Sequence, residues 1–483
     1  MTWEVVIGIE THVELQTQSK MFCRCPVDFG AEPNTVTCPV CLGLPGALPV
    51  PNGLAVEWTI ALGLAIGCSV ASDSLFHRKN YFYADLPKNY QISQFDLPLC
   101  VRGHLDIETD EGAARIGVTR VHLEEDTGKS THVGASGRIH ASEATLLDFN
   151  RSGVPLMEVV SEPDISSPEQ ARAYAQELRA IVLALGISDA RLEEGSLRFD
   201  GNVSLRPEGS SELGTKVEVK NMNSLRSLHR ALAFEIERQG AVLDAGEAVA
   251  QETRHWDEAA GRTESGRSKE ESSDYRYFPE PDLLPLHVED ELIDRLRSGL
   301  PELPASRRSR YRDLGLEPAA TSLLGREADL GDLFDSAVEA GASARGAANW
   351  LTGEVVAYLR RTGGTLGDLP LTGGHIAELT AMTEGGDLSA TAAKEVLAGV
   401  MAGEGGPRGV AESRDLLQMS DASALGEAVD AVLGDNPGEL ERLRSGEDRL
   451  VGFLVGKVMQ ATGGKADPKA VTEIIRSRAS GGD

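Results

Sequence analysis

Between Val5 and Leu15, apolar residues fall mostly on odd positions (Val5, Ile7, Ile9, Val13, Leu15), and Glu4, Glu10, His12 and Glu14 fall on even ones. A period of two predicts a strand with one buried face and one acidic face. Ser196–Arg206 alternates more cleanly. Leu197, Phe199, Gly201, Val203 and Leu205 take one side, with Arg198, Asp200, Asn202 and Arg206 on the other. Lys216–Lys220 repeats the pattern. Several half-buried strands with charged outer faces predict an antiparallel sheet forming a polar cradle.

Two helices interrupt these strands. Ser167-Pro168-Glu169 supplies a cap, a first-turn proline and an early acid. Tyr174, Leu178, Ile181, Val182 and Leu185 then mark the buried stripe. A second helix is predicted from Asn223-Ser224, with Leu225, Leu228, Leu232 and Ile236 inward. Residues 251–282, rich in charge, read as a long and mostly irregular loop. From about residue 290 the strand pattern disappears and Ala, Leu, Glu and Arg dominate. The expectation is an α+β chain in three parts: a cradle domain over 1–292, a helical domain over 293–405 and a small helical tail domain over 406–483. In the tail, Leu450, Phe453, Leu454 and Val458 form a stripe, and Asp467-Pro468 start a last helix.

The chain has 483 residues, too many for one ordinary core, and a net charge of −28. That acidity argues against bulk nucleic-acid binding, so any RNA contact must use a local basic patch. The best apolar stretch, Trp58–Cys68, is far short of a membrane span. With no secretory pattern at the start, a soluble cytoplasmic protein is expected.

Four of the six cysteines are grouped. Cys23-Arg-Cys25 and Cys38-Pro-Val-Cys41 can together close a tetrahedral thiolate shell, the arrangement of a structural zinc site. Carboxylates recur on the polar strand faces: Glu10 beside His12, Glu124 and Glu125 before Asp126, and Glu158 inside the apolar run Pro155-Leu-Met-Glu-Val-Val. Such groups can converge on Mg²⁺, and the histidine widens the choice to Mn²⁺. Their convergence cannot be read from one dimension, and solvated sheet faces remain an alternative. Thr127-Gly-Lys-Ser-Thr131 ends like a phosphate loop, but that pattern needs glycine where Leu123 stands. Lys79, Lys88, Lys216, Lys220, Arg267, Lys269 and Arg276 are the candidate phosphate or RNA cations.

Several strings together resemble one family. They include Val6-Ile-Gly-Ile-Glu-Thr-His-Val-Glu-Leu15, His77-Arg-Lys-Asn-Tyr-Phe-Tyr83, Leu86-Pro-Lys-Asn-Tyr-Gln-Ile-Ser-Gln94 and His122-Leu-Glu-Glu-Asp-Thr-Gly-Lys-Ser-Thr-His132. Asp148-Phe-Asn-Arg-Ser-Gly-Val-Pro-Leu156, Leu197-Arg-Phe-Asp-Gly-Asn-Val-Ser204 and Gly452-Phe-Leu-Val-Gly-Lys-Val-Met459 continue the likeness in order. The family is that of the B subunits of the aspartyl/glutamyl-tRNA amidotransferases. The resemblance implies a cradle related to glutamine synthetase, with Glu10, His12, Glu124, Glu125 and Glu158 at its Mg²⁺ positions. It implies ATP as phosphoryl donor and mischarged Glu-tRNA(Gln) or Asp-tRNA(Asn) as substrate. The expected partners are an amidase (A) subunit, which releases ammonia from glutamine, and a small C subunit. A noncatalytic zinc-bearing RNA scaffold, or a ligase making its own ammonia, are the competing readings. Neither Cys68 nor Cys100, each in an apolar context, reads as a glutaminase nucleophile.

Overall fold

A computed structural model describes residues 2–133, 143–268, 275–418 and 422–481. The chain forms two compact units, 1–304 and 305–483. The first is α+β and is organised on a nine-stranded sheet. Its middle strands are Leu197–Pro207, Trp3–Glu14, Pro155–Ser161 and Gly112–Glu125, all antiparallel to their neighbours.

The alternation read in the first strand decides which face is covered. Ile7, Ile9 and Val13 are fully buried, as are Met157 and Val159 on the adjacent strand. Helices Gly53–Ala65, Pro168–Ala184 and Leu225–Asp244 pack over the sheet and share its core. Each large aliphatic side chain so buried contributes about 1.5–3 kcal/mol. The caps expected from sequence are present: Ser167 accepts from the Gln170 amide at 3.2 Å and Ser224 from the Ser227 amide at 2.9 Å. The opposite face of the middle strands is left for the polar residues.

Two expectations are corrected. The sheet is mixed, because Val217–Lys220 runs parallel to Glu252–Asp257. The segment from 251 is therefore not irregular at its start: Glu252–Asp257 and Arg262–Ser268 form a hairpin on the sheet edge. Its alternation is masked by charged residues, and the anchor is Trp256, 3% exposed. A smaller sheet joins Phe278–Pro279, His77–Asn80 and Tyr90–Ser93.

In the second unit the regular elements among the described residues are all helices. One buried cluster spans Tyr311 to Ala411, and a separate one spans Leu425 to Ile475. Leu454 and Val458 are fully buried in the latter, but Phe453, placed on the same stripe by sequence, is 45% exposed. Among the described residues, no helix is long and apolar enough to cross a membrane.

Candidate active site

Strand register builds the site. Residues directly opposite in an antiparallel pair share a face. His12 lies opposite Glu158 on one side and Arg198 on the other, and Glu158 lies opposite His122. Glu124, two residues beyond His122, shares that face. His12 Nε2 is 3.4 Å from Glu158 and 3.8 Å from Glu124. Ligand atoms of His12, Glu124 and Glu158 all lie within 4.8 Å of one another.

The carboxylates of this trio are buried, and their proton affinities diverge. Burial, with Glu158 nearby, pushes Glu124 above the ordinary carboxylate range. Burial also opposes ionisation of Glu158, but His122, His12 and Lys79 hold it well below that range. Burial disfavours charge on His12 too, yet its hydrogen bond to Glu158 and the neighbouring acids raise its pKa. His122 is driven by burial down to about 4 and is neutral at pH 7. Lys79, on the small sheet, stays charged despite burial because Glu124 and Glu158 face it.

The other predicted residues are placed elsewhere. Glu10 joins Asp200 and Glu218 in a second acidic group. That group contains Lys220, whose Nζ is 2.6 Å from Asp200 and 3.3 Å from Glu218. Asn202 donates to Glu10 at 3.0 Å. Glu125 points away from Glu124, as alternation requires, and pairs with Lys88 while accepting the Ile92 amide at 2.9 Å. Lys216 is exposed just before the Val217–Lys220 strand, and Arg276 is exposed before Phe278. The Arg267 side chain and Lys269 lie outside the described residues.

Sequence reading passed over a third group. Arg198 bridges Asp126 at 2.8 Å and Glu14 at 3.2 Å, and Arg151 lies 3.6 Å from Asp126. Burial and the facing Asp126 push Glu14 up to about 8. The signal available was the position of Arg198 on the polar side of its strand, but its partners lie 72 and 184 residues away.

The cysteine pairs do meet. Cys23, Cys25, Cys38 and Cys41 bring their sulfurs within 4.8 Å of one another, and none forms a disulfide. The Cys38 amide donates to Cys41 Sγ at 3.2 Å, and buried Lys20 lies 3.8 Å from the same sulfur. The hydrogen bond from Cys23, with Lys20 and the Cys38 amide, lowers Cys41 to about 5. A thiolate poised in this way suits a metal ligand. The phosphate-loop look-alike is not one: Lys129–Val133 is a strand paired with Ala144–Asp148, not the start of a helix.

Comparison with known proteins gives this geometry its context. Residues 5–294 match the family pattern "GatB/GatE catalytic domain", and residues 332–478 match "GatB domain". A protein of Frankia casuarinae named as the B subunit of aspartyl/glutamyl-tRNA(Asn/Gln) amidotransferase is 52% identical, over 99% of this chain and 95% of its own. Proteins of the same name from Thermobifida fusca and Acaryochloris marina are 50% and 47% identical, over 99% of this chain and 94% and 98% of their own. With both family patterns and full-length relatives in agreement, the chain belongs to the family of aspartyl/glutamyl-tRNA(Asn/Gln) amidotransferase B subunits.

Proposed function

We propose that this chain is the B subunit of a glutamine-dependent carbon–nitrogen ligase, a heterotrimer with an amidase (A) subunit and a small C subunit. It activates the side-chain carboxylate of Glu on tRNA(Gln), or of Asp on tRNA(Asn), at the expense of ATP, and then admits ammonia. The supporting observation is the convergence of His12, Glu124 and Glu158 beside Lys79, inside the stretch that matches the catalytic-domain pattern.

Ammonia does not displace oxide from a carboxylate, so activation comes first. A side-chain carboxylate oxygen attacks the terminal phosphorus of ATP, ADP departs, and an acyl phosphate forms. Ammonia then attacks the acyl carbon, phosphate leaves, and loss of a proton gives the amide. Phosphoryl transfer needs positioning and charge neutralisation more than covalent help from the protein. Lys79, held charged among the site acids, supplies fixed positive charge. His12, with its imidazole turned to Glu158, and the carboxylates of Glu124 and Glu158 form a compact oxygen-and-nitrogen donor set that fits a divalent cation. They would hold Mg²⁺ or Mn²⁺, which when bound neutralises phosphate charge. Lys88 and Glu125 pair with each other at the edge of this region, and Lys220 neutralises the neighbouring acidic group around Glu10. The polar face serves as a cradle of the glutamine-synthetase kind.

Cys23, Cys25, Cys38 and Cys41 would hold one structural zinc, since four thiolates leave no open position. Residues 406–483, carrying Lys457, Lys465 and Lys469, are assigned to tRNA. Deleting them should raise the KM for aminoacyl-tRNA while glutamine hydrolysis in the complex persists. The main test is conversion of purified Glu-tRNA(Gln) and, separately, Asp-tRNA(Asn) by the complex of this chain with its amidase and small partners. Amide formation should require ATP and glutamine. A complex that binds tRNA but amidates neither substrate under those conditions would overturn the reading.

A further inference from the structure

Aromatic residues make up only 5% of the chain, yet five rings form a continuous path beside the carboxylate trio. Phe95 and Tyr277 stack with centroids 4.2 Å apart and planes 8° from parallel. Tyr277 meets Tyr275 at 6.0 Å, Tyr275 meets Tyr81 at 6.0 Å, and Tyr81 meets Tyr83 at 5.7 Å. The small sheet holds the path. Tyr81 and Tyr83 follow the strand His77–Asn80, Phe95 follows Tyr90–Ser93, and Tyr275 and Tyr277 precede Phe278–Pro279. Asn80 fixes the last segment by donating from its side chain to the carbonyls of Tyr275 at 3.1 Å and Arg276 at 2.9 Å.

The path is tied to the site at its middle. Lys79 Nζ lies 5.1 Å from the Tyr275 ring centroid and 5.9 Å from that of Tyr81, and the same ammonium faces Glu124 and Glu158. The Tyr81 hydroxyl donates to Gln91, whose amide donates to the Glu125 carbonyl at 2.6 Å. At its ends the path opens to solvent: Phe95 is 53% exposed, Tyr83 58% and Phe82 between the tyrosines 80%. Rings placed for packing alone would be covered. Here large ring surfaces are exposed and linked through a lysine to a cluster of buried acids.

We infer that this path is a stacking platform for unpaired nucleobases at the 3′ end of the aminoacyl-tRNA, holding the esterified amino acid over His12, Glu124 and Glu158. The inference rests on the function proposed above and adds where the substrate is gripped. Every base offers a π-face, so the exposed Phe95 and Tyr83 rings at the two ends can each take a base whatever its identity. A single adenine, as in ATP, needs one or two rings, whereas an extended path with two open ends suits a strand. Lys79, placed over the Tyr275 and Tyr81 rings in the middle of the path, adds a cation for the backbone and leaves the exposed end rings clear. The same platform reconciles RNA binding with a chain of net charge −28: stacking supplies affinity that a basic surface would otherwise have to provide.

The experiment uses the complete heterotrimer and Glu-tRNA(Gln) carrying 2-aminopurine in its unpaired 3′ end. Binding should quench the fluorescence by stacking. Tyr83→Leu and Phe95→Leu keep apolar bulk but remove the π-face, whereas Tyr83→Trp and Phe95→Tyr retain it. Both positions are exposed, so folding is preserved, and circular dichroism with gel filtration confirms it. The leucine variants should lose most of the quench and raise the KM for Glu-tRNA about tenfold, the scale of one lost base–aromatic stack. The aromatic variants should stay near wild type, and the KM for ATP should not move. A wild-type complex that makes Gln-tRNA while both leucine variants quench and bind tRNA normally would falsify the platform and leave the proposed function standing. A rise in the KM for ATP alone overturns it too, by assigning the rings to adenine. Failure of the wild-type complex to amidate any tRNA strikes the underlying reading instead.

Discussion

Two acidic groups lie on the same sheet face and have opposite electrostatic arrangements. Around His12, Glu124 and Glu158 the cations stand off, with Arg120 3.7 Å from Glu158. Around Glu10, Asp200 and Glu218, the ammonium of Lys220 is bonded in place at 2.6 and 3.3 Å. The second group has a lysine counter-ion hydrogen-bonded in place. In the first, His12, Lys79 and Arg120 face the carboxylates without such a bonded lysine and leave room for a cation that arrives. Groups of similar composition can thus serve different ends, and the deciding feature is whether a lysine of the chain is bonded into the carboxylates. The cysteine group is of the first kind. Lys20 touches one of its sulfurs, but four converging thiols with a single lysine still ask for a metal.

The contrast is broken most directly by removing charge from the first group. Glu124→Gln or Glu158→Gln in the complex should slow ATP-dependent acyl-phosphate formation on Glu-tRNA at least about 100-fold, since even outer partners of a metal matter 10–100-fold. The readout is transfer of labelled phosphate alongside glutamine hydrolysis, which should survive. Wild-type activation rates in both variants would remove the trio from the chemistry.

Next in size is the metal dependence of the cysteine group. Purified protein should carry about one zinc per chain, and stripping it with a chelator should lower the melting temperature by about 5 °C, reversed by zinc but not by Mg²⁺. Protein with no zinc and an unchanged melting curve under chelation would show that the thiols need no ion.

Lys220→Met turns the second group into the first kind. Loss of the ammonium should cost about 1 kcal/mol in urea unfolding, below the 3–5 of a fully buried pair, because a third of the lysine side chain meets solvent. It should also add a Mn²⁺ site, raising the stoichiometry seen by paramagnetic resonance. An unchanged stoichiometry would mean that Lys220 is not what keeps cations away.

The smallest effect tests the third group. The Glu14 carboxyl is pushed up to about 8 by burial and Asp126. A folded value above the unfolded one, ordinarily near 4.5, gives stability that is present at low pH and is lost as pH rises from the unfolded value through about 8. Glu14→Gln removes that loss, so the variant should gain on wild type between about pH 5 and 8, reaching on the order of 1 kcal/mol, with little difference below about pH 4.5. Chemical denaturation across that range measures it. A difference that grows toward acid would reverse the assignment.

Much of this was legible in the chain. The alternation in Val5–Leu15 assigned Glu10 and His12 to one strand face, because side-chain direction in a strand is a local property of the backbone. Ser167 and Ser224 announced their helices, because capping is satisfied within three residues. The two cysteine pairs announced a common centre through their residue type alone. The hairpin beginning at Glu252 was missed because its outer face is charged and its burial depends on Trp256 reaching a core formed by other strands.

Grouping was beyond the reach of the sequence. Glu124 and Glu125 are neighbours in the chain, yet one joins His12 and the other joins Lys88, because the pleat turns consecutive side chains to opposite faces and different segments wait on each side. Glu10 and His12 share a face but enter different clusters, because Asp200 and Glu158 are brought opposite them by strands joined only in three dimensions. Residue chemistry, local elements and strand faces depend on near neighbours, and the order of residues along the chain sets them. Which acids share a cation, which are already neutralised and which rings form a path depend on register between strands that are often far apart in the chain, and folding alone sets that register.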